Sequence, residues 1–325
     1  MAGPSGWRPA ALNNGWVYCD RVRAGENGRL LSVVMAERYR HSSEQTWLQR
    51  VAAAELSCNG VTLDKDRILA AGDVIHWQRP AWLEATIPDQ WETIHDDGDV
   101  LIIDKPSGLP VMPGGGFLLH TLTALLERKS RSIGEALAPK PVHRLGRFTS
   151  GLQVCARRPD TRAELSKQFR PEGGCRKTYL AWTRRVESLK QGQTLMVTSD
   201  VVERRHPLLG WIWAPEPKIS EPLRKRLSAQ TAIQLRERRD VGDLLEVLIS
   251  TGRPHQIRIH LAQMGCPLLG DPLYLSDQEL CAAATPGDGG YQLHAWRLEG
   301  LRWPSLKALS LHAQPPKKIA DGDAS

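Results

Sequence analysis

Five runs rich in apolar and β-branched residues, at 99–104, 151–156, 179–183, 231–237 and 244–250, read as strands. They differ in length, and no regular βα alternation links them. Successive parallel strands need a crossover helix, so this spacing predicts an α+β domain on a mixed, mainly antiparallel sheet. Two helical patterns fall among the strands. One is 121–129 (TLTALLERK), and the other is opened by a cap of Thr161 with Glu164 and carries Leu165 and Phe169. The run at 99–104 stops at Lys105-Pro106-Ser107-Gly108, where proline disfavours continuation and glycine permits a turn.

The N-terminal part has a different grammar. Residues 1–29 carry no assignable pattern. From Leu30, LLSVVMAERY shows apolar residues at helical spacing, and Ser42 with Gln45 forms a capping box for a second helix through Leu48, Val51 and Leu56. Asn59-Gly60 is a hairpin signal, because both positions tolerate the positive φ of a tight turn. A turn at Ala71-Gly72-Asp73 leads into a strand at 74–77. Two short helices and a β-ribbon thus make a small unit at 30–79. A linker at 80–92 contains Pro80 and Pro88, a larger domain spans 93–313, and 314–325 is a polar tail expected to fray.

Of the 325 residues, 41% are hydrophobic and 24% charged, enough apolar content for a packed core. The six cysteines are scattered without a C-x-x-C pair, which argues against a zinc site or a disulfide framework and for a reducing compartment. No signal-peptide core or membrane-length apolar run is present, so a cytoplasmic protein without a membrane association is expected. The formal net charge is +7, and from 141 to 180 nine Lys/Arg (144, 147, 157, 158, 162, 167, 170, 176, 177) face three acids (160, 164, 172). Such a patch is the footprint of a polyanion partner; a solvated helix face is the bland alternative.

Three polar stretches at strand ends hold the chemistry-bearing residues: 103–108 (IDKPSG), 142–152 (VHRLGRFTSGL) and 251–261 (TGRPHQIRIHL). Loops held by a rigid sheet are where binding and catalytic groups tend to sit. The last stretch crowds Arg253, His255, Gln256, Arg258 and His260 into eight positions. His255 and His260 have no third ligand in view, so no metal is expected.

In this order the three stretches resemble the signatures of the RluA-type pseudouridine synthases, which isomerise uridine in structured RNA. Lys105-Pro106-Ser107-Gly108 is similar to a K-P-x-G loop, 143–151 to H-R-L-D-x-x-T-S-G, and 251–261 to T-G-R-[TP]-H-Q-I-R-x-H-L. Further matches are Lys177-Thr178-Tyr179-Leu180-Ala181, Gly270-Asp271-Pro272-Leu273-Tyr274 and Leu293-His294-Ala295. The resemblance runs from about Ile94 to His312. The unit at 30–79 resembles an S4-like RNA-binding domain, a common companion of that family, with Gln49 and Arg50 on the helix such domains present to RNA; a small domain used only for packing is the alternative.

The resemblance implies a cofactor-free, metal-free enzyme acting as a monomer on rRNA or tRNA. It also exposes a departure: Gly146 stands where the family's catalytic Asp stands. Tyr179 matches the tyrosine that stacks on the target uracil, and Arg253 the arginine that pairs with the missing carboxylate. Without that partner, Arg253 is expected to find Asp104, Asp271 or an RNA phosphate. Asp104 is the candidate for a displaced acid, a structural ion pair being its bland reading. Arg144 matches the arginine that enters the space of a flipped nucleotide. Lys105, His143, Arg147, Thr149 and Arg258 complete the expected RNA-binding set. The competing function is a catalytically silent relative that binds or remodels RNA.

Overall fold

The structure is a computed structural model and describes residues 6–39, 41–187, 189–218, 221–284, 289–306, 311–317 and 319. The chain divides into two compact units: residues 10–84 with 206–210, and the remainder.

The smaller unit packs helices Leu31–Arg38 and Glu44–Ala52 with a four-stranded antiparallel sheet in the order Trp16–Arg21, Val74–Arg79, Leu56–Cys58, Val61–Thr62. Asn59 and Gly60 hold the expected turn with φ of 51° and 82°. Two expectations shift. The second helix is capped by Ser43, whose side chain accepts from Thr46 N, while the Ser42 N–H is spent on Tyr39 O in the preceding turn. The edge strand Trp16–Arg21 comes from the stretch that had no readable pattern, because its alternation is shallow, with no fully buried residue. Trp47 and Trp77 meet edge to face at 4.9 Å in the core, and the Arg50 guanidinium lies 4.3 and 4.2 Å from their rings.

The segment expected as a linker is not featureless. Leu83–Glu84 pairs with Ala11–Leu12, and Ile87–Pro88 pairs with Trp7–Arg8. Pro88 is tolerated because a two-residue edge strand asks for few N–H donors.

In the larger unit the strands are β1 (Glu92–Asp96), β2 (Val100–Lys105), β3 (Thr149–Ala156), β4 (Arg176–Thr183), β5 (Thr194–His206), β6 (Gly210–Pro215), β7 (Arg226–Arg239), β8 (Gly242–Ile249) and β9 (Leu293–Glu299). They are ordered β6-β5-β7-β8-β4-β9-β3-β2-β1. The pairs β1/β2, β2/β3, β4/β8, β4/β9, β5/β7 and β7/β8 are antiparallel, and β3/β9 is parallel. The fold is thus a mixed α+β domain on a mainly antiparallel sheet, as the irregular strand spacing predicts. The helices are α1 (Leu122–Ser132), α2 (Pro159–Gln168) and α3 (Gln256–Gln263).

Strand alternation sorts the core into two faces. Leu101 and Ile103 pack with Leu122, Leu125 and Leu126 of α1, and Ile233 and Val247 with Ile257 and Leu261 of α3. On the opposite face Val100, Ile102, Leu152 and Val154 pack with Leu165 of α2. Thr161 does not cap α2. That helix starts two residues earlier at Pro159, and Thr161 Oγ1 donates to Asp99 Oδ2 at 2.6 Å, tying the first turn to the β1–β2 hairpin. Of the tail, Ile319 is buried and its carbonyl accepts from Trp182 Nε1 at 2.7 Å; residues 318 and 320–325 lie outside the described residues.

Candidate active site

One row of residues crosses the middle of the sheet. Lys105 of β2 is in register with Gly151, Gly151 with Ala295 of β9, Ala295 with Tyr179 of β4, and Tyr179 with Val247 of β8. In-register neighbours share a face, so this row lies on the side covered by α1 and α3. Gly151 is there by necessity. Its φ is +104°, and a Cβ would sit 2.2 Å from Ala295 O, so only glycine admits the close parallel pairing of β3 with β9.

The first two motif stretches are stitched into one body. Lys105 Nζ donates to the carbonyls of Pro106, Leu109 and Arg147 at 2.8, 2.9 and 3.0 Å. Gly108 N donates to the same Arg147 carbonyl, Arg147 Nε donates back to Gly108 O, and Ser107 Oγ donates to Phe148 O. Lys105 is fully buried, and burial pushes its ammonium down to about 7. It is therefore a clamp on the loop rather than the RNA contact the sequence suggested.

His143 also moves out of the surface set. Its ring stacks on Phe169 at 4.2 Å, its Nε2 accepts from Val154 N at 3.1 Å, and burial lowers its pKa to about 3. A neutral imidazole held this way shapes the loop and offers no charge to phosphate. Arg147 lies half-buried, with Phe117 and Phe148 at 4.5 and 4.8 Å. Arg144 is exposed, and Thr149 is buried and closes the turn with its N–H on Gly146 O at 3.1 Å.

The third stretch brings a correction. Arg258, not Arg253, is the cation packed on the ring of Tyr291, whose hydroxyl faces Gly146. Arg258 is buried and binds Asp271 through two hydrogen bonds of 2.7 Å. Burial works against its charge, yet the Asp271 carboxylate outweighs that and holds the guanidinium protonated. Its carbon lies 4.3 Å from the Tyr291 ring and 4.7 Å from that of Tyr274. Such geometry commits Arg258 to the interior, so it is no open RNA contact. Arg253 reaches Ser228 O through Nε at 3.0 Å and makes no ion pair among the described residues. Of the anions expected for it, Asp271 is bound by Arg258.

Gly146 faces Tyr291. A Cβ built on Gly146 would lie 2.2 Å from Tyr291 Oη and 3.3 Å from Thr149 Oγ1. The phenol thus fills the space that any side chain at 146 would enter. Sequence reasoning missed Tyr291, although a position losing its side chain signals that some other group fills the volume.

Asp104, the candidate displaced acid, is in register with Leu152 and Glu92, and so lies on the α2 face, away from Lys105 and the Gly146 cluster. Burial, then repulsion from Glu92, raises its pKa to about 6. A folded-state pKa above the unfolded one means that stability falls as pH rises from about 4 to about 6. We expect Asp104→Asn to stabilise the fold by about 1 kcal/mol at pH 7, allowing for solvent screening, and by nothing at pH 3.5. It should leave turnover intact. Denaturation at the two pH values, with an activity assay, checks both. Loss of turnover would restore Asp104 as the acid.

The basic patch is thinner in space than in sequence. Arg157 pairs with Asp96 and Glu135, Arg158 with Asp99, Lys167 with Glu164 and Arg176 with Glu299, while Lys177 is buried on Phe169 O. Arg144, Arg162 and Arg170 make no ion pair among the described residues, and Arg144 and Arg170 are exposed. In the smaller unit Gln49 is exposed, while Arg50 is half-buried and desolvation lowers its pKa.

Residues 99–263 match the family described as RNA pseudouridylate synthase. The chain is 38% identical to an uncharacterized RNA pseudouridine synthase of Synechocystis over 87% of its own length and 93% of the relative's. It is 30% identical to RNA pseudouridine synthase 5 of Arabidopsis thaliana over 89% of each chain. Human RNA Pseudouridylate Synthase Domain Containing 4 superposes with a TM-score of 0.52 at 24% identity, over 70% of this chain and 90% of that one, a likeness of fold. The family match over residues 99–263, half of the chain, and the relative 38% identical over 87% of it place the chain in the RNA pseudouridylate synthase family.

Proposed function

We propose that this chain converts uridine to pseudouridine in structured RNA, with an S4-like unit at its N-terminal side and a glycine at the position of the family's catalytic carboxylate. The observation that carries this reading is the row Lys105–Gly151–Ala295–Tyr179, which sets the loop bearing Gly146 and the half-buried Tyr179 on one face. The isomerisation breaks N1–C1′, turns the uracil, and joins C5 to C1′. N1 gains a proton and C5 loses one, so no cofactor is required. Burial raises the pKa of Tyr179, which keeps it a neutral aromatic surface suited to stacking on a base. Arg144, exposed on the loop, suits the space left by a flipped nucleotide.

Loss of the C5 proton gives the test. Full-length protein incubated with ribosomal RNA or transfer RNA carrying uridine tritiated at C5 is expected to release tritium from one of them. Binding without release from either would favour the silent RNA-binding relative. With Arg144, Arg162 and Arg170 as the loop region's cations outside ion pairs, log K against log salt should have a slope of about −2 to −3 from this region. A slope near zero would remove the RNA from it.

A further inference from the structure

We propose that Tyr291 supplies, through its hydroxyl, the reacting group at the sugar that Gly146 lacks; the assignment rests on the pseudouridine synthase reading. Four observations carry it. Tyr291 Oη occupies the volume a side chain at 146 would take, 2.2 Å from an ideal Cβ there. The ring is anchored in the core beside Ile257, Leu261 and Leu293, so the hydroxyl is held in place rather than swung in. Its hydrogen-bond contact among the described residues is Thr149 Oγ1 at 3.4 Å, long for two hydroxyls, which leaves the oxygen little engaged. The Arg258 guanidinium packs 4.3 Å from the centroid of the ring whose oxygen would develop negative charge.

The chemistry balances without an added reactant. The phenol oxygen attacks C1′ as N1–C1′ breaks; the bond's electron pair goes to N1, which takes the phenol proton. The freed uracil turns and its C5 attacks C1′, expelling the tyrosyl oxygen with its electron pair as phenolate. That phenolate takes the C5 proton, regenerating the phenol and leaving pseudouridine. Tyrosine nucleophiles at a sugar carbon are established chemistry in other enzymes.

The geometry also links positions 146 and 291. Gly146→Asp alone drives a Cβ into the Tyr291 hydroxyl, whereas Tyr291→Phe removes that oxygen and leaves Cζ 3.6 Å away. In single-turnover tritium release, Tyr291→Phe is expected to lose about 10³-fold in rate with RNA affinity within about twofold of the parent. Tyr291→Phe combined with Gly146→Asp should exceed Tyr291→Phe alone, because a carboxylate then enters the volume that the hydroxyl vacates. Rapid acid quench within a single turnover, followed by peptide mass spectrometry, should find RNA joined through C1′ to the Tyr291 oxygen, as an adduct that has lost its uracil. Release undiminished in Tyr291→Phe, or an adduct on another residue, overturns the assignment while the enzyme reading stands. No release by the parent protein from either RNA overturns both.

Discussion

Gly151→Ala is expected to destabilise the sheet-bearing unit by about 3 to 5 kcal/mol. Two costs add. At a φ of +104° an alanine pays the left-handed penalty, about 1 to 2 kcal/mol. The new methyl would also stand 2.2 Å from Ala295 O and 2.7 Å from its C and N, all backbone atoms of β9 that no rotamer change can clear. The β3–β9 pair must part, and the Lys105–Gly151–Ala295–Tyr179 row with it. Gly98→Ala is the control: its φ is +87° but nothing lies within 4 Å of its Cβ, so only the backbone penalty remains. Guanidinium unfolding followed by circular dichroism reads both. Equal losses at the two positions would remove the steric argument.

Arg258→Met should cost about 3 to 5 kcal/mol, because it strands a carboxylate whose side chain is 1% exposed. The reverse variant, Asp271→Leu, strands the guanidinium and also orphans the N–H groups of Leu273 and Tyr274, which Asp271 Oδ1 accepts at 3.0 Å. A double variant leaves neither charge alone. It should recover about 2 kcal/mol or more relative to the sum of the singles. Strict additivity in that cycle would mean the two groups do not act as a pair. Both singles should also disturb Tyr291, whose ring lies beside the guanidinium.

How far the sequence spoke depended on the kind of information each residue carries. Runs such as VLIIDK announce buried strands, and Thr121 announces its helix, accepting from Ala124 N at 3.3 Å. The strand Leu293–Glu299 carries no clear strand signal, because its pattern is broken by Trp296 and Arg297, both half-buried. Long-range partners were also illegible. The acids that neutralise the cations at 157, 158 and 176 come from Asp96, Glu135, Asp99 and Glu299, so counting charges in a window overstated the patch. The motif order locates the loops, but which arginine packs on Tyr291 is a matter of helix phase: Arg253 precedes α3, while Arg258 lies on it against the Tyr291 ring. Tyr291 is legible only in the fold, where its hydroxyl fills the empty side of Gly146.

The place of β9 at the centre of the sheet sets a timetable for synthesis. Strands β1 to β3 and β4 to β8 are each assembled from neighbouring sequence, but Ser150 meets His294 only across a very long loop. Closing such a loop is slow, since its entropy is spent before its contacts form. On a ribosome adding about 5 to 20 residues per second, the two half-sheets wait on the order of ten seconds with the edges of β3 and β4 open. Unfilled edges recruit other strands, so the nascent chain is most prone to aggregate in that interval. The same insertion that ends the risk brings Tyr291 and Ala295 up to the Gly146 loop, so a chain acquires its catalytic face only when its last central strand is seated.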